Sequence, residues 1–175
     1  MSPTAHALAV LTAIVLGNIS ASAQPASPSK PAAPSYGASA EHGHYVAVNG
    51  IKLYYESHGS GPVMLQIHGN SGSIADLTPL IGHFAKNHRV LVADSRGHGK
   101  SEFGKEPLTY ERMAEDLNAL LDHVGAQAVS VLGLSDGGIL GLLLAMHHPD
   151  KVGKLVVAGA NLVRLPRFSG HRHPR

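Results

Sequence analysis

From Val63 to Ala158, short and nearly continuous apolar runs alternate with stretches of helical period, and this alternation restricts the chain to a narrow group of folds. Val63–His68 (VMLQIH), Arg89–Asp94 (RVLVAD), Ala128–Leu132 and Lys154–Ala158 read as strands of a buried sheet. Between them, Ile74, Leu77, Ile81 and Phe84 recur at spacings of three and four, as do Met113, Leu117, Leu120, Leu121 and Val124. Thr109 is placed to cap the second of these helices and Gly125 to stop it, while Pro79 is expected to distort the first. A third helix over Gly138–His148 is apolar nearly all round, which predicts a buried element. Strands and helices in this order specify an α/β fold, a mostly parallel sheet with helices on both faces. Ahead of it, Tyr45–Val48 and Ile51–Ser57 flank Asn49-Gly50, a strong hairpin signal, so the domain opens with antiparallel strands.

The flanks read differently. Ala7–Gly17 is an apolar run of signal-peptide length followed by the small residues Ala21-Ser22-Ala23. Residues 1–23 are therefore expected to be an export signal, sending the protein to the periplasm or outside the cell, although the stretch before the run holds His6 and no Lys or Arg. The run is too short for a stable membrane span. Residues 24–43, dominated by Pro, Ala and Ser, read as a disordered linker, residues 44–162 as the folded domain, and residues 163–175 as a basic unstructured tail. A formal charge of only +2, with no long basic run, argues against nucleic acid as a partner. The chain has no Cys, which excludes thiolate metal sites. Of its 13 His, His42-x-His44 and His171-x-His173 alternate as metal ligands would, but no third ligand is fixed beside them, so no metal is expected.

The chemistry is concentrated in Gly133-Leu-Ser135-Asp136-Gly137-Gly138. Gly-x-Ser-x-Gly is weak by itself in a chain with 20 Gly, but here it directly follows an apolar strand and opens a helix, the context the pattern requires. A sharp bend at Ser135 brings the residues two before and two after it together, so Gly133 and Gly137 meet a demand for minimal size. The bend lifts the Ser135 hydroxyl out of the sheet and aims the unpaired N–H groups of the helix start at the same spot. His68-Gly69-Asn70-Ser71-Gly72 follows the third strand, where Gly69 lets the backbone turn toward Ser135. The backbone N–H groups of Asn70 and Asp136 are accordingly the candidate oxyanion hole. In the loop Ser95–Ser101, Arg96 and His98 could touch substrate or hold the loop by hydrogen bonds, and Asp94 is expected to fix that loop.

Taken together, His68-Gly69-Asn70, the Asp94-Ser-Arg-Gly-His-Gly-Lys-Ser101 loop, Gly-Leu-Ser135-Asp-Gly-Gly138 and His148-Pro-Asp-Lys-Val152 before Leu155–Gly159 resemble the α/β-hydrolase superfamily, in its serine esterase-like branch. The resemblance implies Ser135 as nucleophile and cleavage of an ester-like or other acyl bond in a small molecule through an acyl-enzyme, with no cofactor. Ser at position 135 argues against the members that use Asp to open epoxides or displace halide. The family order places the acid after a seventh strand and the His after an eighth. About six strands are legible here, so the resemblance implies a C-terminally truncated domain. Downstream of Ser135 stand only Asp136, Asp150, His147, His148, His171 and His173. His147 and His148 lie about 16 Å from Ser135 along the helix, beyond its reach. Two expectations stand side by side: a serine hydrolase, and a non-catalytic remnant or binding module lacking the acid and His. Missing strands would also leave the sixth as an open edge for self-association.

Overall fold

The computed structural model describes residues 35–161. Its strands are β1 (Gly43–Val48), β2 (Ile51–His58), β3 (Val63–Ile67), β4 (Arg89–Ala93), β5 (Val129–Leu134) and β6 (Val152–Ala158), in one sheet ordered β1-β2-β4-β3-β5-β6. The β1–β2 and β2–β4 pairs are antiparallel, and β4, β3, β5 and β6 are parallel to one another. The opening hairpin closes on Asn49 and Gly50 at φ 43° and 78°, the left-handed pair that a two-residue turn needs.

Alternation along the strands sorts side chains to two faces. On one face Leu53, Leu65, Ile67, Leu91 and Val131 meet α2 (Tyr110–His123) and α3 (Asp136–His147) through Leu117, Leu120, Leu121, Leu140 and Leu144. On the other, Tyr54, Val90 and Val92 pack beneath Ile74, Leu77 and Ile81. These last three belong to a 3₁₀ turn (Ile74–Leu77) that runs into α1 (Thr78–Phe84). Helices thus cover both faces. The break between turn and helix has a local cause: Pro79 has no N–H to give the Ala75 carbonyl, which instead accepts the Thr78 hydroxyl at 2.6 Å. Thr109 caps α2, accepting the Arg112 N–H at 3.2 Å, and Gly125 follows its end at φ 66°.

Two expectations are corrected. Residues 35–43, assigned to the linker, are held on the sheet, with Gly37 and Ser39 donating N–H bonds of 3.1 and 2.9 Å to the Glu56 carboxylate. The Tyr36 ring meets His58 edge-on at 4.7 Å. This anchor is a buried anion rather than an apolar stripe, so hydropathy does not reveal it. The second correction concerns α3, apolar nearly all round and expected to be a buried element. Leu140, Gly141 and Leu144 are buried, but Ile139, Leu142 and Leu143 are half-exposed and Met146 is 72% exposed. Among the described residues β6 pairs with β5 alone, and its Val156 is exposed. The export signal, residues 24–34 of the linker and the tail lie outside the described residues. No described helix is long and apolar enough to cross a membrane, and no described group of three His, Asp or Glu could hold a metal.

Candidate active site

β3 and β5 are parallel neighbours with Ile67 opposite Gly133, so the chain segments leaving them emerge side by side at one edge of the sheet. Such edges gather loops where ligands bind. β5 ends at Leu134, and Ser135 takes φ 52° and ψ −121° before α3 begins at Asp136. This conformation is sparsely populated by residues with a side chain and is retained only where the surroundings over-determine it. They do so here: the Ser135 N–H donates to Ala158 O on β6 at 2.7 Å, and Ser135 O accepts the Gly138 N–H at 2.8 Å. A Cβ on Gly133 would strike the Gly137 carbonyl, and one on Gly137 would strike the carbonyls of Ile67 and His68. Strand, bend and helix therefore pack at backbone contact. The Ser135 side chain is left exposed, with no hydrogen bond to the helix it caps.

The 68–72 loop folds over this bend. Gly72 N–H closes onto Gly69 O at 3.1 Å, Ser71 turns at φ 57°, and its N–H meets Asn70 Oδ1 at 2.9 Å. A Cβ built on Gly69 would stand 3.1 Å from Ser135 Cβ, which measures how closely the loop approaches the serine. Neither the Asn70 nor the Asp136 backbone N–H has an acceptor among the described residues. The Asp136 amide is the first of α3, one of the groups no helix can satisfy internally, and it carries the positive end of the helix dipole. Two donors near an exposed hydroxyl can stabilise negative charge on an oxygen attached to a carbon that the hydroxyl attacks.

Buried polar groups hold these loops in register. The Ser95 N–H donates to His68 Nε2 at 2.9 Å, so Nε2 is an acceptor and Nδ1 carries the proton that meets Gly69 O at 2.8 Å. The ring is thus neutral, and burial pushes its pKa below the ordinary histidine value. Asp94, also buried, accepts the N–H groups of Ile74 and Lys100, both at 2.8 Å, and its carbonyl takes the Ser101 hydroxyl at 2.6 Å. Arg96 donates twice to Asp116 at 2.7 Å and once to Asn49 O at 3.0 Å. Both charged side chains are 1% exposed, so Arg96 holds its loop and does not face the site.

Beside Ser135 lies a cleft of about 300 Å³. Gly69, Asn70 and Asp136 border it, His68, Ser95 and His98 form a polar wall, and Leu108, Met113 and Leu140 form an apolar one. The Asp136 carboxylate accepts the Tyr110 hydroxyl at 2.9 Å, and that bond raises the phenol pKa. His148, at the far end of α3, is engaged by Glu115 on α2 at 2.9 Å. No described histidine or carboxylate hydrogen-bonds Ser135 Oγ. Sequence reasoning missed Ser95 and Tyr110. Ser95 follows a strand-end Asp directly, and Tyr110 follows the α2 cap, so a signal existed for both only once the loops were brought together.

Comparison with known proteins gives the site its context. The family model for the alpha/beta hydrolase fold matches residues 62–174. The serine hydrolase BPHL of Mus musculus is 38% identical over 124 residues, covering 66% of this chain and 42% of that protein. An uncharacterized hydrolase of Bacillus subtilis, YraK, is 31% identical over 111 residues, covering 62% and 41%. Among solved structures, an enol-lactonase from Burkholderia xenovorans superposes with a TM-score of 0.61 at 33% identity, over 64% of this chain and 45% of that one. The chain thus spans about two fifths of the length of these curated relatives. With the family model matched over more than half of its residues, the chain belongs to the alpha/beta hydrolase fold family.

Proposed function

We propose that Ser135 is the nucleophile of a serine hydrolase that cleaves an ester-like acyl bond in a small molecule through an acyl-enzyme. The observation that carries this reading is the exposed Ser135 hydroxyl on a left-handed bend, beside two backbone amides that have no described acceptor. In this reading Ser135 Oγ adds to the acyl carbon while the carbonyl oxygen gathers charge between the Asn70 and Asp136 N–H groups. Collapse of that intermediate expels the alcohol, which departs with the proton that Ser135 Oγ gives up, and leaves an ester on Ser135, which water then cleaves to the acid and the free serine. Each amide donor is worth roughly 10²- to 10³-fold in rate. No cofactor enters any step. The Asp136 carboxylate borders the cleft and disfavours anionic acyl groups, so neutral or cationic ones are the better substrates.

A second reading, a module that binds acyl compounds without turning them over, is favoured by one fact. No described histidine or carboxylate touches Ser135 Oγ, and a serine without a base is a weak nucleophile. Labelling the purified chain with a fluorophosphonate separates the two. Hydrolase chemistry requires stoichiometric modification that maps to Ser135 and disappears in Ser135→Ala. A chain that resists the reagent, yet shows the Asn70 and Asp136 amide signals shifting with a neutral acyl compound, is the binding module.

A further inference from the structure

The polar wall of the cleft contains a group that the scaffold does not use. Ser95 is 3% exposed and borders the cleft, yet its Oγ has no hydrogen-bond partner among the described residues. Its neighbours, His98 Nε2 excepted, are otherwise committed. The Ser95 N–H is taken by His68 Nε2, Asp94 is spent on Ile74 and Lys100, and Arg96 turns away to Asp116. His98 Nδ1 bonds Arg96 O at 3.0 Å. A buried hydroxyl left without a partner is unfavourable, and such groups call for an explanation. A local one would be a role in bracing the loop, but bracing is done here by backbone amides and by the Ser101 hydroxyl, not by Ser95 Oγ.

We propose that Ser95 Oγ is a specificity-determining group that hydrogen-bonds an oxygen substituent on the acyl chain of the substrate. The proposal rests on the hydrolase-site reading and adds the substrate class to it: short acyl groups bearing a hydroxyl or keto oxygen. The cleft has the matching layout. The residues lining the cleft include Ser95 and His98 as well as Leu108, Met113 and Leu140, so the chain of an acyl group whose carbonyl is held by the Asn70 and Asp136 amides has both polar and apolar neighbours within the cleft. A plain alkyl chain satisfies only the apolar residues and leaves Ser95 Oγ as it stands, buried and without a described partner. An oxygenated chain satisfies both walls. The Ser95 hydroxyl needs only rotation about its single side-chain bond to donate to a keto oxygen, or to donate or accept with a hydroxyl. The cleft, about 300 Å³, has room for a short acyl chain.

The test uses the full chain and three neutral probes: butyramide, 3-hydroxybutyramide and 4-hydroxybutyramide. Each is titrated while the backbone amide signals of Gly69, Asn70 and Asp136 are followed by NMR. At least one hydroxy amide is expected to bind about five-fold more tightly than butyramide, the worth of one ordinary neutral hydrogen bond. Ser95→Ala is expected to abolish that preference and Ser95→Thr, which keeps a hydroxyl, to retain it. Equal binding of all three probes to the wild type, or an undiminished preference in Ser95→Ala, overturns the proposal and leaves the hydrolase-site reading standing. Should no probe move the three amide signals, the site reading itself fails and this assignment falls with it. Thermal melting of Ser95→Ala is the folding control, and its midpoint is expected to equal or exceed that of the wild type because the Oγ it removes is buried with no described partner.

Discussion

Replacing Asp116 by Ala tests whether the cleft is held together by buried charge. Asp116 sits on α2 with 1% exposure and accepts bonds from Arg96 Nε and Nη2, both at 2.7 Å, and from Asn49 Nδ2 at 2.9 Å. Through these contacts it joins α2 to the β1–β2 turn and to the loop that carries Ser95. Removing the carboxylate strands the Arg96 guanidinium, also 1% exposed, with Asn49 O as its sole described acceptor. Leaving one partner of a buried pair uncompensated costs about 3–5 kcal/mol. For a domain of this size that is a drop in Tm of roughly 10–20 °C. Urea unfolding followed by far-ultraviolet circular dichroism measures it directly. The double variant Arg96→Met with Asp116→Leu removes both charges and fills similar volume, so it should recover most of the loss. A single Asp116→Ala that costs under about 1 kcal/mol, or a double variant whose cost equals the sum of the two singles, refutes the reasoning.

The remaining predictions concern the bend and its supports. At position 135, Gly should be more stable than Ala by about 1 kcal/mol, reversing the usual order, because φ 52° penalises a Cβ; equal unfolding midpoints would contradict the strain argument. Gly137→Ala is expected to cost at least about 2 kcal/mol, since its Cβ meets the backbone carbonyls of Ile67 and His68, which have no rotamer to yield; an unchanged urea midpoint counts against that packing. His68 is held neutral with its pKa below the ordinary value, so the unfolded chain binds its proton more readily. Its contribution is therefore full above about pH 6.5 and is lost as pH falls through the ordinary histidine range toward the folded value. Stability measured from pH 7.5 to 5 should fall less steeply in His68→Gln than in the wild type, and parallel slopes would exclude the lowered pKa. The Tyr110 phenol titrates above the ordinary value because it donates to Asp136, so Asp136→Asn should lower it in an ultraviolet titration compared with Tyr110→Phe.

How much of this could be read from the chain depends on which force fixes each part. The strands and helices follow apolar periodicity, and Val63–Ile67, Arg89–Ala93 and Tyr110–His123 lie where the periodicity puts them. Boundaries shifted where hydropathy gives way to turn chemistry: β5 runs on to Leu134 and α3 starts at Asp136, because the bend takes one residue where the sequence reading allowed several. The positions of Gly133, Ser135 and Gly137 were legible because contact between backbones leaves no room for a side chain. Glu56, which anchors residues 37–39, was not, since a carboxylate in a strand is indistinguishable from a solvated one until its donors are known. Asp116 did leave a trace. It falls on the same helical stripe as Met113, Leu117 and Leu120, and a charge on an apolar stripe implies a buried counter-charge.

The same division explains how the candidate site is built. The loops after β3, β4 and β5 have no apolar face of their own, so packing alone cannot fix them relative to one another. His68, Asp94 and Arg96 do that work by pairing almost every polar atom they bury, each across a different gap: loop to loop, loop to 3₁₀ turn, loop to helix and hairpin. Among the described residues Gln66 Oε1, His88 Nδ1, Asn118 Oδ1 and Ser95 Oγ are buried without a partner, and of these only Ser95 belongs to the cleft lining. Along this cleft the unpaired groups include the Asn70 and Asp136 amides, the Ser95 hydroxyl and His98 Nε2, beside the exposed hydroxyl of Ser135. They are atoms a ligand can satisfy, and in the reading proposed above an acyl carbonyl takes the two amides while a second oxygen on its chain takes Ser95.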